Sequence, residues 1–128
     1  MSESPLSQRV IGCAIEVSRV LGCGFLEKVY ENALMVELVR SGLSAEQQRA
    51  TLVRYHGVVV GEYVVDILVE GSLLVEVKAL DRLNPVHDSQ VMNYLRATGC
   101  TVGLLLNFGR PQLGIRRLVW NHDETNRI

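Results

Sequence analysis

The sequence predicts a single α/β domain in which helices flank a mixed central β-sheet of four or five strands. Three observations predict this class: apolar residues recur at helical spacing in the first 40 positions, β-branched residues dominate residues 51–79, and a later helical stretch separates two short apolar strands. A length of 128 residues suits one hydrophobic core. We therefore expect one domain over residues 1–128, with its core at about residues 6–120.

Two helices are predicted at the start of the chain. Apolar residues follow helical spacing from Leu6 to Leu21, and Gly22 and Gly24 end that segment at a tight bend. A second apolar series runs from Leu26 to Leu38 and ends near the Ser41–Gly42 pair, a typical C-terminal stop.

The strands and the third helix follow in order. Three strands are predicted at about residues 50–56, 58–69 and 73–79, where glycines mark the turns. Asn84 offers an N-cap before Pro85 for a helix that runs to Gly99. The segment TVGLLLNF is then a short apolar strand, and IRRLVW is a last strand or edge segment. Because a helix joins the strand at residue 73 to the strand at residue 101, these two strands should be parallel neighbours.

Three charged residues interrupt the apolar stretch DILVEGSLLVEVKAL: Asp66, Glu76 and Lys78. The strand at 73–79 is otherwise apolar on both faces, as expected of a central strand covered by helices. Burying an ionised carboxylate there costs several kcal/mol unless a partner compensates it. Glu76 and Lys78 are two residues apart and therefore point to the same face of the sheet.

The register between the two strands decides whether Asp66 joins this pair. A three-residue loop at 70–72 places Asp66 directly opposite Glu76, and we predict that register. Two carboxylates side by side would repel by roughly 4 kcal/mol at about 4 Å with an effective dielectric near 20. A hard divalent cation would satisfy both, and Mg²⁺ commonly binds one or two carboxylates together with waters and substrate phosphate. The alternative is that Glu76 and Lys78 form a half-exposed ion pair on an edge strand and that Asp66 merely ends its own strand.

The predicted third helix carries a polar stripe. His87, Gln90 and Tyr94 lie at positions i, i+3 and i+7, on one face. Gln90 and Tyr94 are suited to contact a phosphate or a metal-bound water. Alternatively, the stripe is a solvated helix face on which the tyrosine partly covers the core, and His87 is interpreted as a cap or surface residue.

The segment GFLEKVY at residues 24–30 has the spacing GxxExxY. Together with Asp66, the EVK triplet and the helix HDSQVMNYL, it makes the chain resemble the GxxExxY protein family of the PD-(D/E)XK, or restriction-endonuclease-like, nuclease superfamily. The resemblance extends from about residue 6 to Arg117 and implies a restriction-endonuclease-like core. It implies that Asp66, Glu76 and Glu27 are metal ligands and that Lys78 is the catalytic lysine. By the same resemblance Gln90 and Tyr94, which match a QxxxY motif, position the site or substrate, and Tyr30 is assigned with them.

The function predicted from these residues is Mg²⁺-dependent hydrolysis of phosphodiester bonds, with Mn²⁺ as a substitute ion and DNA favoured over RNA. A catalytically silent module that binds nucleic acid or protein is the alternative. The net charge of −1 gives no global attraction to nucleic acid, so binding requires a metal or a local basic patch. Candidate phosphate contacts are Arg49, Arg54, Arg82, Arg96, Arg116 and Arg117.

The remaining expectations concern assembly and location. A homodimer is expected because a small domain that cuts both strands of a duplex usually works in pairs. The apolar runs are far shorter than a bilayer span, and the stretch MSESPLSQ lacks the basic and hydrophobic parts of a secretion signal. We therefore expect a cytoplasmic protein that does not enter the membrane.

Overall fold

A five-stranded mixed sheet forms the centre of the structure, a computed structural model that describes residues 5–125 and 127–128. The strands lie in the order β1-β2-β3-β4-β5, and β3 and β4 are parallel while all other neighbours are antiparallel. The predicted class and the parallel pair are thereby confirmed. The strands are β1 Ala45–Tyr55, β2 Val58–Val69, β3 Leu73–Lys78, β4 Val102–Asn107 and β5 Gly114–Val119.

Three helices cover the two faces of the sheet: α1 Leu6–Leu21, α2 Glu27–Arg40 and α3 Pro85–Thr98. Helices α1 and α2 pack on one face through a large apolar cluster, and α3 packs on the other face through a smaller one. The two central strands β3 and β4 are buried between these layers, which is why their sequences are apolar on both faces. Among the described residues, no helix is long and apolar enough to cross a membrane.

The start of α3 follows the predicted capping pattern. The Asn84 side chain accepts a hydrogen bond from the Val86 N–H, and His87 Nδ1 accepts one from the Asn84 N–H at 3.1 Å. Pro85 occupies the first helical turn, and Gly99 ends the helix in the left-handed conformation. The interpretation of His87 as a cap is confirmed, and its ring is thereby engaged with the backbone.

Strand β1 begins at Ala45, about five residues before the predicted start at residue 50. It is an edge strand, and most of its residues are exposed, so the polar stretch EQQRA shows no apolar alternation from which a strand could be predicted. Residues 1–4, half of the stretch used above to argue against a secretion signal, lie outside the described residues.

Strands β2 and β3 separate after only three residue pairs. Their register pairs Val69 with Leu73 and Ile67 with Val75, as predicted for a loop at residues 70–72, and pairing stops before Asp66 and Glu76. Beyond this fork, β2 continues with β1 as a two-stranded arm. Val65 belongs to the apolar cluster under α3, whereas Ile67, only two residues away, belongs to the opposite cluster. The arm is therefore rotated relative to the sheet at Asp66.

Candidate active site

Asp66 and Glu76 face each other inside the fork between β2 and β3. The backbone N–H of Asp66 donates to Glu76 Oε1 at 3.1 Å, and the backbone N–H of Val77 donates to Asp66 Oδ2 at 2.9 Å. Carboxylate oxygens thus replace the carbonyl oxygens that a regular ladder would offer. Each acid holds the opposite strand, and the two carboxyl groups are brought side by side.

Burial and mutual repulsion both act on this pair of acids. Glu76 is only 3% exposed. Its burial and, to a smaller extent, the charge of Asp66 raise its pKa to about 8. Burial also raises the pKa of Asp66, although its hydrogen bond from Val77 opposes the shift. At neutral pH the pair therefore retains a proton, because the surroundings supply too little positive charge to keep both groups ionised.

Lys78 lies at the end of β3 beside the two acids and is half-buried. Its charge lowers the pKa values of Glu27, Asp66 and Glu76 against the larger effect of burial. Within residues 5–125, however, Lys78 forms no ion pair at 4.0 Å or less. The alternative of a half-exposed Glu76–Lys78 pair on an edge strand is wrong, since β3 is the third of five strands and Glu76 is buried.

The position of Lys78 is fixed by a clamp that the sequence did not reveal. The buried Asn107 side chain accepts a hydrogen bond from the Leu80 N–H at 2.9 Å and donates one to the Leu80 carbonyl at 3.0 Å. The Phe108 N–H donates to the Lys78 carbonyl at 2.8 Å. The chain leaving β3 is therefore tied to the end of β4 immediately after the lysine.

Glu27 is the first residue of α2, on the side of the sheet opposite α3. Its side chain is exposed, but partial burial of its carboxyl group raises its pKa. The charge of Lys78 opposes this shift, and the charge of Asp66 adds to it. Glu27 therefore lies near both residues. Among the described residues no group of three or more acidic, histidine or cysteine side chains is close enough to hold a metal ion as it stands. A direct ligand role for Glu27 accordingly stays a prediction, and Asp66 and Glu76 are the acids that are already together.

The contacts of Tyr30 give a structural reason for the tyrosine at the last position of the GxxExxY motif. It is fully buried, and its hydroxyl donates to the Gly22 carbonyl at 2.7 Å and accepts from the Phe25 N–H at 3.1 Å. Its ring stacks on Phe108 with centroids 4.9 Å apart. Gly24 in the same loop has a φ of +115°, which side-chain-bearing residues rarely adopt. Tyr30 thus fixes the loop that precedes Glu27, and the positioning role predicted for it would act through that loop.

Gln90 and Tyr94 of α3 lie on the other side of the acids. Tyr94 is buried, and this burial is the main cause of its raised pKa. The charges of Glu76 and Asp66 raise the pKa further, and a hydrogen bond with Gln90 opposes the shift. Its ring also packs edge-on against Tyr63 of β2 at 5.2 Å. Tyr94, with Gln90 beside it, therefore lies near the carboxylate pair, whereas His87 of the same stripe caps the helix.

Two further polar residues next to the acids, Glu31 and Gln48, were missed. Glu31 is 2% exposed and accepts from the side chains of Lys28, Gln47 and Gln48 at 3.1, 2.6 and 2.8 Å. Gln48 Nε2 also lies 3.5 Å from Asp66 Oδ1, the outer limit of a hydrogen bond. The sequence could have indicated Glu31, because it lies four residues after Glu27 and the two residues therefore share a face of the helix.

Gln48 itself gave no signal in the sequence. It adopts a φ of +56° within β1, at the point where the regular pairing of β1 with β2 skips the position of Asp66. Such a conformation costs free energy for a residue with a side chain, and strain of this kind clusters at functional sites.

The sequence and the fold were compared with known proteins. A sequence model of the PD-(D/E)XK nuclease superfamily matches residues 4–118. The chain belongs to this superfamily. The narrower resemblance to GxxExxY proteins stays a prediction.

The superfamily fold is also found in a solved structure. The crystal structure of SSO0001 matches with a TM-score of 0.57 and 19% sequence identity, over 94% of this chain. The chain spans 60% of the length of that protein, and at this identity the likeness concerns the fold alone. No curated protein gave a significant match. The superfamily match and the structural likeness together confirm the predicted restriction-endonuclease-like fold.

PD-(D/E)XK nucleases generally use divalent metal ions, and the residues of the fork fit such an ion. Asp66 and Glu76 offer only oxygen donors, which Mg²⁺ prefers. The raised pKa values of both acids indicate that positive charge is lacking at this point. A divalent cation would supply that charge and displace the proton, as metal ions do when they bind acidic ligands.

Proposed function

We propose that this PD-(D/E)XK domain hydrolyses phosphodiester bonds in a Mg²⁺-dependent reaction, with DNA favoured over RNA. The observation that supports the proposal most is the fork, where Asp66 and Glu76 face each other. Lys78, which forms no ion pair among the described residues, lies beside them. Asp66 and Glu76 would hold the ion, and Glu27 would bind it directly or through water. When bound, the ion lowers the pKa of a bound water and stabilises charge on the phosphate.

The protein side chains contribute orientation and charge. The ammonium group of Lys78 would lie next to the phosphate oxygens as they gain negative charge, where a fixed positive charge is most effective. The Gln90–Tyr94 pair, which lies near the acids, would position the scissile phosphate or its water. Tyr30 would keep Glu27 in place through the loop at residues 22–25.

The test is a cleavage assay on single-stranded and double-stranded DNA with Mg²⁺ or Mn²⁺, and on RNA of the same sequence. Wild-type protein should cleave, and Glu76→Ala and Lys78→Ala should each lower the rate by at least about 100-fold, the scale of losing a charge-stabilising group. Glu124→Gln is the matched control, because Glu124 is an exposed acid away from the fork. Calorimetric titration with Mn²⁺ should show heat that disappears in Asp66→Ala.

The alternative is a catalytically silent module that binds nucleic acid or protein, because a protein can keep a nuclease fold without nuclease activity. Binding of DNA without cleavage, with equal affinity in wild type and Glu76→Ala, would favour the module and contradict the nuclease proposal. Nucleic acid is the proposed partner in either case.

We also propose a homodimer in the cytoplasm, since cleavage of both strands of a duplex by one small domain needs two copies of the site. Light scattering after size-exclusion chromatography measures the mass. A monomeric mass at the concentrations used for cleavage would contradict the dimer.

A further inference from the structure

A groove runs between α3 and the arm formed by β1 and β2. It has a volume of about 560 Å³, within the range of roughly 300–1,000 Å³ of sites that receive a small ligand. A smaller hollow of about 170 Å³, lined in part by Gln90 and Tyr94, shares Tyr63 and Asn93 with this groove. The groove and this hollow therefore adjoin, and the hollow reaches Tyr94.

The charges of the groove are exclusively positive. Arg54 comes from the arm and Arg96 from α3, and no acidic residue contributes to the lining among the described residues. Arg96 contacts only the Asn93 side-chain oxygen, at 3.4 Å, and neither arginine forms an ion pair with any residue that the structure describes. Two guanidinium groups are thus free to bind phosphate, a ligand whose geometry suits their forked donors.

Three of the other arginines considered above are already neutralised, whereas Arg82 forms no ion pair among the described residues but does not line the groove. Arg49 pairs with Glu46 at 2.6 Å, and Arg117 lies 3.5 Å from Glu124. Arg116 likewise pairs with an acid of α3. Arg54 and Arg96 therefore carry the free positive charge of the groove, and the three paired arginines provide controls.

The floor of the groove suits an unpaired base. Tyr63 is 43% exposed, and its ring packs in an edge-to-face arrangement with Tyr94. Leu52, which also lines the groove, is exposed as well. Base stacking on an exposed aromatic side chain requires a free base face, which a single strand offers and an intact duplex does not.

We propose that the groove binds a single-stranded segment of nucleic acid, with phosphates on Arg54 and Arg96 and a base against Tyr63. The segment would lead past Tyr94 to the carboxylate pair, a step that rests on the proposed nuclease function. The preferred substrate class would then be strands with an unpaired stretch, such as overhangs, flaps or gaps.

The experiment measures binding of a fluorescein-labelled 12-nucleotide DNA by fluorescence anisotropy in EDTA, so that it is independent of cleavage. Wild type should bind the single strand more tightly than the matching duplex. The double variant Arg54→Ala/Arg96→Ala should reduce the slope of log affinity against log salt by about 1.4, at about 0.7 per phosphate contact on a single strand. Arg49→Ala, on the same strand but ion-paired, should leave the slope close to that of wild type.

Tyr63→Leu should weaken single-strand binding by roughly 5- to 150-fold, the effect of losing one stacked base. It keeps apolar bulk against Tyr94, and a thermal melt followed by circular dichroism verifies folding. Equal salt slopes for wild type and the double arginine variant would overturn the proposal, as would equal affinity for single strand and duplex.

Failure of catalysis would be seen separately. Glu76→Gln should bind the oligonucleotide at least as tightly as wild type while failing to cleave. If wild type does not cleave with Mg²⁺ but the arginine and Tyr63 effects are present, the groove is supported and the nuclease proposal fails.

Discussion

Glu76 should make the metal-free protein less stable as the pH rises. The unfolded chain releases this proton at a pKa near 4.5, whereas the folded protein keeps it until about pH 8. Between these values the native state binds the additional proton, so the free energy of unfolding falls with increasing pH. The contribution of Glu76 is fully present below the unfolded pKa and is lost as the pH passes through the folded pKa.

The magnitude follows from the same two pKa values. A difference between 4.5 and about 8 corresponds to about 5 kcal/mol, which is an upper bound because local opening of the fork would admit water. We expect the free energy of unfolding to decline by roughly 1 kcal/mol per pH unit across this window. Asp66, whose pKa is also raised, acts in the same direction.

The variant Glu76→Gln removes the titration and keeps an oxygen that can accept the hydrogen bond from the Asp66 N–H. Urea unfolding in EDTA at pH 5, 6, 7 and 8, followed by circular dichroism, measures the effect. Glu76→Gln should match wild type within about 1 kcal/mol at pH 5 and exceed it by several kcal/mol at pH 8. The exposed control Glu124→Gln should retain the wild-type slope. Equal slopes for wild type and Glu76→Gln would refute the assignment of the buried proton.

Three further outcomes are expected. Mn²⁺ should raise the melting temperature of the wild type more at pH 8 than at pH 5, because ions and protons compete for the same carboxylates, and differential scanning fluorimetry measures this. Gln48→Leu should weaken Mn²⁺ binding by about 10- to 100-fold in a calorimetric titration, since its amide lies next to Asp66, whereas Gln47→Leu should not. Asn107→Leu should cost about 2–3 kcal/mol in urea unfolding, because the N–H and carbonyl of Leu80 lose their partner; an unchanged midpoint would contradict the clamp.

The elements that follow from local chemistry could be predicted from the sequence. The cap at Asn84, the loop at residues 70–72 and the apolar strand at 73–79 each depend on residues close together in the chain, and the structure confirms them. The opposition of Asp66 to Glu76 followed from the loop length alone. What the sequence could not predict is that pairing stops at these residues and that the side chains then bond the backbone.

The missed features depend on distant parts of the chain. The strained conformation of Gln48 arises where the arm turns away from the sheet, and nothing in the sequence EQQRA indicates it. The sequence also could not show which arginines are free to bind phosphate, because all six were equally plausible as phosphate contacts. Arg116 finds its acid 28 positions away, and only the fold distinguishes it from Arg54 and Arg96.

The fork has a mechanical consequence. Asp66 and Glu76 lie at the junction between the sheet and the hairpin arm. At this point their carboxylates, rather than a regular ladder of backbone hydrogen bonds, join the two strands. Whatever those oxygens capture, a proton or a cation, competes for the same lone pairs that set the angle of the arm. We therefore expect occupancy of the acids to change the angle of the arm and, with it, the width of the groove in front of α3.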